Sequence, residues 1–176
     1  MDIRFWEEEI MAKKEPKTNA MRILEKEKIP YEIHRYECKE FIDGIAIADM
    51  LNEPYERVFK TLVTEGKSGG YFVFVIPIHK ELDLKKAARA VHEKAVEMIH
   101  VKDINKITGY IRGGCTAIGM KKDYPTILDQ SAEDQETIMV SGGKNGIQIE
   151  LKPEDYLKAC RGVMAPLIRE EEIQES

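Results

Sequence analysis

Apolar positions along the chain change period several times, and each change marks an element. After Thr18, a natural N-cap, Ala20, Ile23 and Leu24 share one helical face that runs to about Lys28, and Pro30 stops it. Tyr31 to Tyr36 alternates as a strand, with Tyr31, Ile33 and Arg35 on one side and Glu32, His34 and Tyr36 on the other. Residues 44–52 return to helical spacing, with Ile45, Ala48 and Leu51 inward. Pro54 opens a turn into the strand Val58 to Val63; Lys67-Ser68-Gly69-Gly70 is a hairpin turn, and Tyr71 to Ile76 is almost wholly apolar. Such a run predicts a central strand buried on both faces, ending at Pro77.

Asp83 caps the next helix, whose predicted buried face is Leu84, Ala87, Ala88 and Val91. Val96 to Ile99 reads as a short strand and Val101 to Ile107 as a helical turn. Thr126 to Leu128, Thr137 to Val140 and Ile147 to Leu151 are three further strands. Pro153 starts a final helix that turns Tyr156, Leu157 and Cys160 inward. Hairpin-joined strands outnumber strand–helix alternations. The pattern predicts a single α+β domain with a mainly antiparallel, curved or barrel-like sheet surrounded by helices.

Composition narrows the class. A chain of 176 residues, 43% hydrophobic and 34% charged, is sized for one folded core and has no apolar run that would span a bilayer. Cys38, Cys115 and Cys160 are odd in number and widely spaced. Free thiols in a reducing cytoplasm are therefore expected, with no secretory signal. The net charge of −5 is concentrated at the ends, because residues 1–10 and 169–176 each carry −3 and the remainder carries +1. The body can still present a basic surface to a polyanion.

Two glycine stretches carry the candidate chemistry. Thr108 to Lys122, TGYIRGGCTAIGMKK, holds Gly109, Gly113, Gly114 and Gly119 between apolar flanks. Such a loop can turn backbone N–H groups toward one anion or developing oxyanion; a plain glycine-cornered turn is the alternative. The second stretch is Ser141-Gly142-Gly143-Lys144-Asn145-Gly146. Neither ends in the Gly-Lys-Ser/Thr of a P-loop, and the histidines and cysteines lack the close spacing of a zinc site. Cys115 reads as an apolar filler, without an evident base beside it. Lys60 interrupts an apolar strand. It is either a snorkelling surface lysine or an anchor for phosphate or a polarised carbonyl. Arg112, Lys121, Lys122, Lys144 and the Lys85–Lys86–Arg89 cluster could extend a basic approach path.

Phe59-Lys60-Thr61-Leu62, Leu82-Asp83-Leu84-Lys85-Lys86-Ala87-Ala88, Thr108-Gly109-Tyr110 with Gly113-Gly114, and Ser141-Gly142-Gly143-Lys144 occur in that order. In this the chain resembles the YbaK/EbsC family of aminoacyl-tRNA deacylases, relatives of the editing domain of bacterial prolyl-tRNA synthetases. The resemblance takes residues 16–169 as the domain, residues 1–15 as an N-terminal extension and residues 170–176 as an acidic tail. It implies a mixed, barrel-like sheet and hydrolysis of the ester joining a wrong amino acid to tRNA, foremost cysteine on tRNA for proline. It implies no cofactor and no metal.

By the same resemblance Lys60 and Gly113 belong to the catalytic site. Lys60 lies where the acceptor end binds, and Gly113 offers backbone contacts near the scissile carbonyl. Tyr36, Thr61, Gly114, Ser141 and Gly142 are implied to bind substrate. Cysteinyl-directed members commonly carry Gly-Gly-x-Ser-Pro, where this chain reads Gly113-Gly114-Cys115-Thr116-Ala117. The family's pocket phenylalanine before a glycine also has no clean counterpart, since Asp43 precedes Gly44 and Phe41 lies two residues earlier. Two other readings remain: a binding module that holds aminoacyl-tRNA or a nucleotide without turnover, and a subunit that docks on a synthetase such as that for proline.

Overall fold

The computed structural model describes residues 16–171. The first helix, α1, spans Asn19–Lys26; the Thr18 hydroxyl accepts from the Met21 N–H at its start, and Ala20 and Leu24 are buried. Strand β1 is Glu32–Arg35 and helix α2 is Gly44–Leu51, capped by Asp43, whose carboxylate accepts from Ala46 N–H at 2.8 Å. A 3₁₀ turn at Tyr55–Arg57 leads to β2, Phe59–Gly66, which pairs antiparallel with β3, Tyr71–Pro77, across the expected hairpin. Helix α3, Leu84–Ala90, precedes β4, Val96–Met98, and helix α4 is Ile104–Thr108. Strands β5, Thr126–Asp129, β6, Ile138–Ser141, and β7, Ile147–Leu151, lead to helix α5, Pro153–Cys160, and strand β8, Val163–Ala165.

The strands form two sheets. One is antiparallel, in the order β1-β7-β6; the other runs β4-β2-β3-β5-β8, with β3–β5 and β5–β8 parallel. A parallel bridge between Val58 and Met139 joins them. The fold is thus α+β with mixed sheets, barrel-like in that the sheets curve around a shared core without closing. That core collects Leu24, Phe59, Val63, Val73, Val75, Ile118, Leu128, Val140, Ile149 and Tyr156 from both sheets, the glycine stretch and helices α1 and α5. β3 lies between β2 and β5, and Val73 to Ile76 are fully buried, as its unbroken apolar run requires.

Three details differ from expectation. Ile47 is buried on α2 in addition to the expected face, in which Ala48 packs with Val58, Ile78 and Met139 and the partly buried Ile45 and Leu51 pack against that cluster. Leu84 is 39% exposed at the first turn of α3, so Ala87 and Ala88 carry that helix's burial. β8 follows too closely on α5 to give a sequence signal, yet it pairs in parallel with β5 and its following segment returns to Glu81 and Leu82. The helix expected around Phe5, Trp6 and Ile10 lies outside the described residues.

Candidate active site

The two glycine stretches meet. Gly113 has φ +84°, and a Cβ there would overlap the Asn145 side chain and press on Phe41. A Cβ on Gly114 would stand 3.0 Å from Lys144 Cα and 3.2 Å from Asn145 N. Glycine is needed here so that one loop backbone can lie directly on the other. The N-terminus of α1 clamps both loops. Thr18 Oγ1 donates to Gly142 O at 2.6 Å, and Asn19 Nδ2 donates to Gly119 O at 2.8 Å. Tyr110, 8% exposed, donates its hydroxyl to Ile118 O at 2.5 Å. Thr116 is wholly buried, and Tyr110 and the α1 contacts hold the loop around it.

Beside this joint lies a cavity of about 420 Å³, walled by residues 41–47 at the start of α2, by β2, by the Arg112–Gly113 turn and by Ser141 and Gln148 of the smaller sheet. Lys60, Thr61, Gly113 and Ser141 line it together, although up to 81 residues separate them in sequence. Gly114, Gly142 and Tyr36 do not line it. Gly114 and Gly142 form the loop packing, and Thr18 holds the Gly142 carbonyl. Tyr36 donates its backbone N–H to Gly146 O at 3.0 Å, and its hydroxyl is buried near Gln148.

Lys60 is half-buried. Among the described residues no hydrogen bond or ion pair engages its ammonium, and loss of solvation lowers its pKa, with Glu81 opposing the shift. A buried cation without a partner favours an incoming anion or a polarised oxygen. β4 pairs only with Thr64 to Gly66, so the stretch of β2 beside Lys60 has an edge open toward the cavity. At the lip, the Arg112 guanidinium lies 4.0 Å from the ring centre of Phe41, which is 45% exposed. Phe41 is thus the exposed aromatic residue at the cavity, where Phe59 is the buried one; it lies two positions before Asp43, whose Oδ1 caps α2. Sequence spacing missed it because its partner, Arg112, lies far along the chain.

Cys115 also reaches the cavity, and burial pushes its thiol up to about 11, with Thr108 opposing. It is therefore a thiol at neutral pH, and no histidine lines the cavity to take its proton. On the same face of the smaller sheet as Gln148, further along β1 and β7, potential ligand atoms of Glu32, His34 and Glu150 lie within 4.8 Å of one another. His34 engages one Glu150 oxygen at 2.8 Å, and Arg57 and Thr137 donate to the other. Both oxygens are thereby spent on joining β1, β7 and the Tyr55–Arg57 turn.

The fold and cavity define an α+β domain in which a strand lysine and two interlocked glycine loops enclose a pocket that lacks a nucleophile–base pair. Residues 44–159 match the family model described as the aminoacyl-tRNA editing domain, and the chain belongs to that family. It is 48% identical over 164 residues to a protein of Enterococcus faecalis (strain ATCC 700802 / V583), covering 92% of this chain and 100% of the relative. That protein is provisionally named Cys-tRNA(Pro)/Cys-tRNA(Cys) deacylase EbsC. Over 96 residues it is 27% identical to a proline–tRNA ligase of Fervidobacterium nodosum (strain ATCC 35602 / DSM 5306 / Rt17-B1), covering 54% of this chain and 16% of that enzyme. Among solved structures, one assigned provisionally as a trans-editing enzyme for prolyl-tRNA synthetase has a TM-score of 0.75 at 19% identity, covering 89% of this chain and 100% of its own. A protein described as hypothetical protein APE2540 has a TM-score of 0.79 at 18% identity, with 86% and 99% covered. These two likenesses show the fold.

Proposed function

We propose that this chain hydrolyses the ester between a wrongly attached amino acid and tRNA, with cysteine on tRNA for proline the foremost substrate. The observation that carries this reading is the convergence of Lys60, the Gly113 backbone and Ser141 on one cavity whose only thiol is held protonated. Such a site can bind and polarise an ester but supplies no nucleophile of its own. An aminoacyl ester is already activated, so modest help suffices. Backbone donors around Gly113 would stabilise the tetrahedral oxyanion, each worth on the order of 10²–10³ in rate. Lys60 would neutralise and orient the acceptor end without taking a proton.

The nucleophile then comes from the substrate side, either the cysteine thiol attacking its own ester or water ordered by the terminal ribose hydroxyl. Holding such a group against the carbonyl gives effective molarities of roughly 10⁵ M or more. The name of the Enterococcus relative and the match to the proline–tRNA ligase support the choice of substrate. A panel of mischarged tRNAs carrying cysteine, alanine or serine on tRNA for proline tests the proposal. Cleavage of at least one well above the uncatalysed rate is expected. Tight binding of all with cleavage of none would leave a binding module instead.

A further inference from the structure

Two neighbouring buried polar atoms have no partner among the described residues, and one of them belongs to the cavity wall. Gln148 is 5% exposed and lines the cavity, yet its Oε1 is buried without a hydrogen-bond donor among the described residues. The buried hydroxyl of Tyr36, beside Gln148 but outside the cavity lining, also has no hydrogen-bond partner among those residues; burial raises its pKa, with the neighbouring Gln148 side chain opposing, so it stays a neutral phenol. The ladder explains why Gln148 and Ser141 share one wall. Gln148 on β7 stands directly opposite Ser141 on β6, and directly opposed residues project from the same face of a sheet. Ile147, Ile149 and Leu151 turn the other way, into the core.

The cavity is therefore divided by chemistry. Its opposite wall and lip hold the Lys60 ammonium, the Gly113 backbone and the Arg112 guanidinium, with the Asp43 carboxylate, whose Oδ1 caps α2, as the acceptor on that side. The Ser141–Gln148 wall offers acceptors. A buried amide oxygen left unpaired costs folding free energy, and that cost is recovered when a donor enters. Beside the scissile carbonyl, which requires donors, the ribose hydroxyl and a side-chain thiol can both donate and accept, whereas the α-ammonium only donates and so requires acceptors. We propose that Gln148, with Ser141 beside it, is the subsite that accepts hydrogen bonds from the substrate's free α-amino group, and so makes the site selective for unblocked aminoacyl esters. The inference rests on the deacylase reading for the identity of the ligand. An amide oxygen accepts equally from an ammonium and from a neutral amine, so the contact survives deprotonation of the amino group near neutral pH.

A purely structural Gln148, bonded to Tyr36 after a small rotation, would alter stability and slow all substrates alike. The test therefore reads a ratio. Single-turnover cleavage of cysteinyl-tRNA and N-acetyl-cysteinyl-tRNA is compared for the unmodified chain, Gln148→Met and Gln148→Glu. The unmodified chain should favour the free amine by about tenfold or more, Gln148→Met should bring the ratio near one by losing only the free-amine rate, and Gln148→Glu should keep the preference. Equal cleavage of both esters by the unmodified chain, or equal slowing of both by Gln148→Met, overturns the subsite. Should Gln148→Met fail to fold, the unmodified chain and Gln148→Glu decide alone. Calorimetry with 3′-amide-linked cysteinyl-adenosine and its N-acetyl form separates the two readings. Selective binding without any turnover would sink the deacylase and keep the subsite; turnover with indifferent binding would do the reverse, and absence of both would remove both.

Discussion

Gly113 lies so close to Asn145 that a Cβ on it would overlap the Asn145 side chain and come within 3.1 Å of Phe41 Cδ2. Backbone at φ +84° adds a conformational cost for any L side chain. Gly113→Ala should therefore destabilise by about 1–2 kcal/mol and push the loop off its partner. Turnover should fall further than stability alone explains, because the backbone donors move with the loop. Thermal unfolding with single-turnover cleavage checks this; full activity in a destabilised Gly113→Ala would show that the loop backbone does not touch the reacting group.

Lys60 gives a cleaner separation of activity from folding. Its ammonium has no partner among the described residues, so Lys60→Ala removes little that holds the fold together. A charge-assisted hydrogen bond to substrate is worth about 1.5–3 kcal/mol, so cleavage should drop at least tenfold. Unchanged circular dichroism with undiminished turnover would remove Lys60 from the mechanism.

The same burial sets a pH dependence. The folded pKa of Lys60 lies below the ordinary lysine value of 10.5. The unfolded chain therefore holds this proton to higher pH than the folded one, and the penalty on stability is fully present below the folded pKa. It fades as pH rises through the window between the depressed value and 10.5. In a carbon-13 titration of the lysine side chains, Lys60 should have its midpoint below those of the exposed lysines. A midpoint level with theirs would mean that its ammonium is solvated and the cavity open at that point.

How much of this was legible in the sequence follows from which signals are local. Thr18, Asp83 and Pro153 mark helix starts through contacts within a turn, and each starts its helix as expected. The glycine loops were legible as rigid because positive φ is a local demand at Gly109, Gly113, Gly119, Gly143 and Gly146. That they interlock was not, since the contact of Gly114 with Lys144 joins segments 30 residues apart. Gln148 was hidden for a different reason. Ile147-Gln148-Ile149 alternates like a half-exposed strand, yet α2 and the cavity cover the polar face. Phe41 stood in a segment without periodicity, and only the Arg112 guanidinium across the cavity mouth places it.

Cys115 offers a test of who supplies the nucleophile. With its thiol pushed up to about 11, the thiolate is scarce at neutral pH. Cys115→Ser should keep most of the activity, and iodoacetamide at pH 7 should react with it far more slowly than with a free thiol. Loss of turnover in Cys115→Ser, with a thioester trapped on the unmodified chain, would establish an acyl-enzyme route instead.

Substrate choice should follow from the same missing nucleophile. Cysteine is close in size to proline, and one methylene-sized difference yields only about 1–3 kcal/mol of discrimination in a synthetase pocket, so a later removal step has a purpose. The cavity here supplies donors for the ester and acceptors for the amine, but its own thiol is buried and protonated. A substrate that carries a thiol next to the ester carbonyl brings the group the site lacks. Cysteinyl-tRNA for proline should therefore be cleaved far faster than alanyl-tRNA for proline, with similar binding of the two, because the side chains differ by one sulfur while the tRNA contacts are shared. Serine is the informative third side chain, because its hydroxyl replaces the thiol with a weaker nucleophile of similar size. If cysteinyl and alanyl esters are cleaved at equal single-turnover rates, the thiol takes no part, and the attacking group must be water or a ribose hydroxyl ordered beside Lys60.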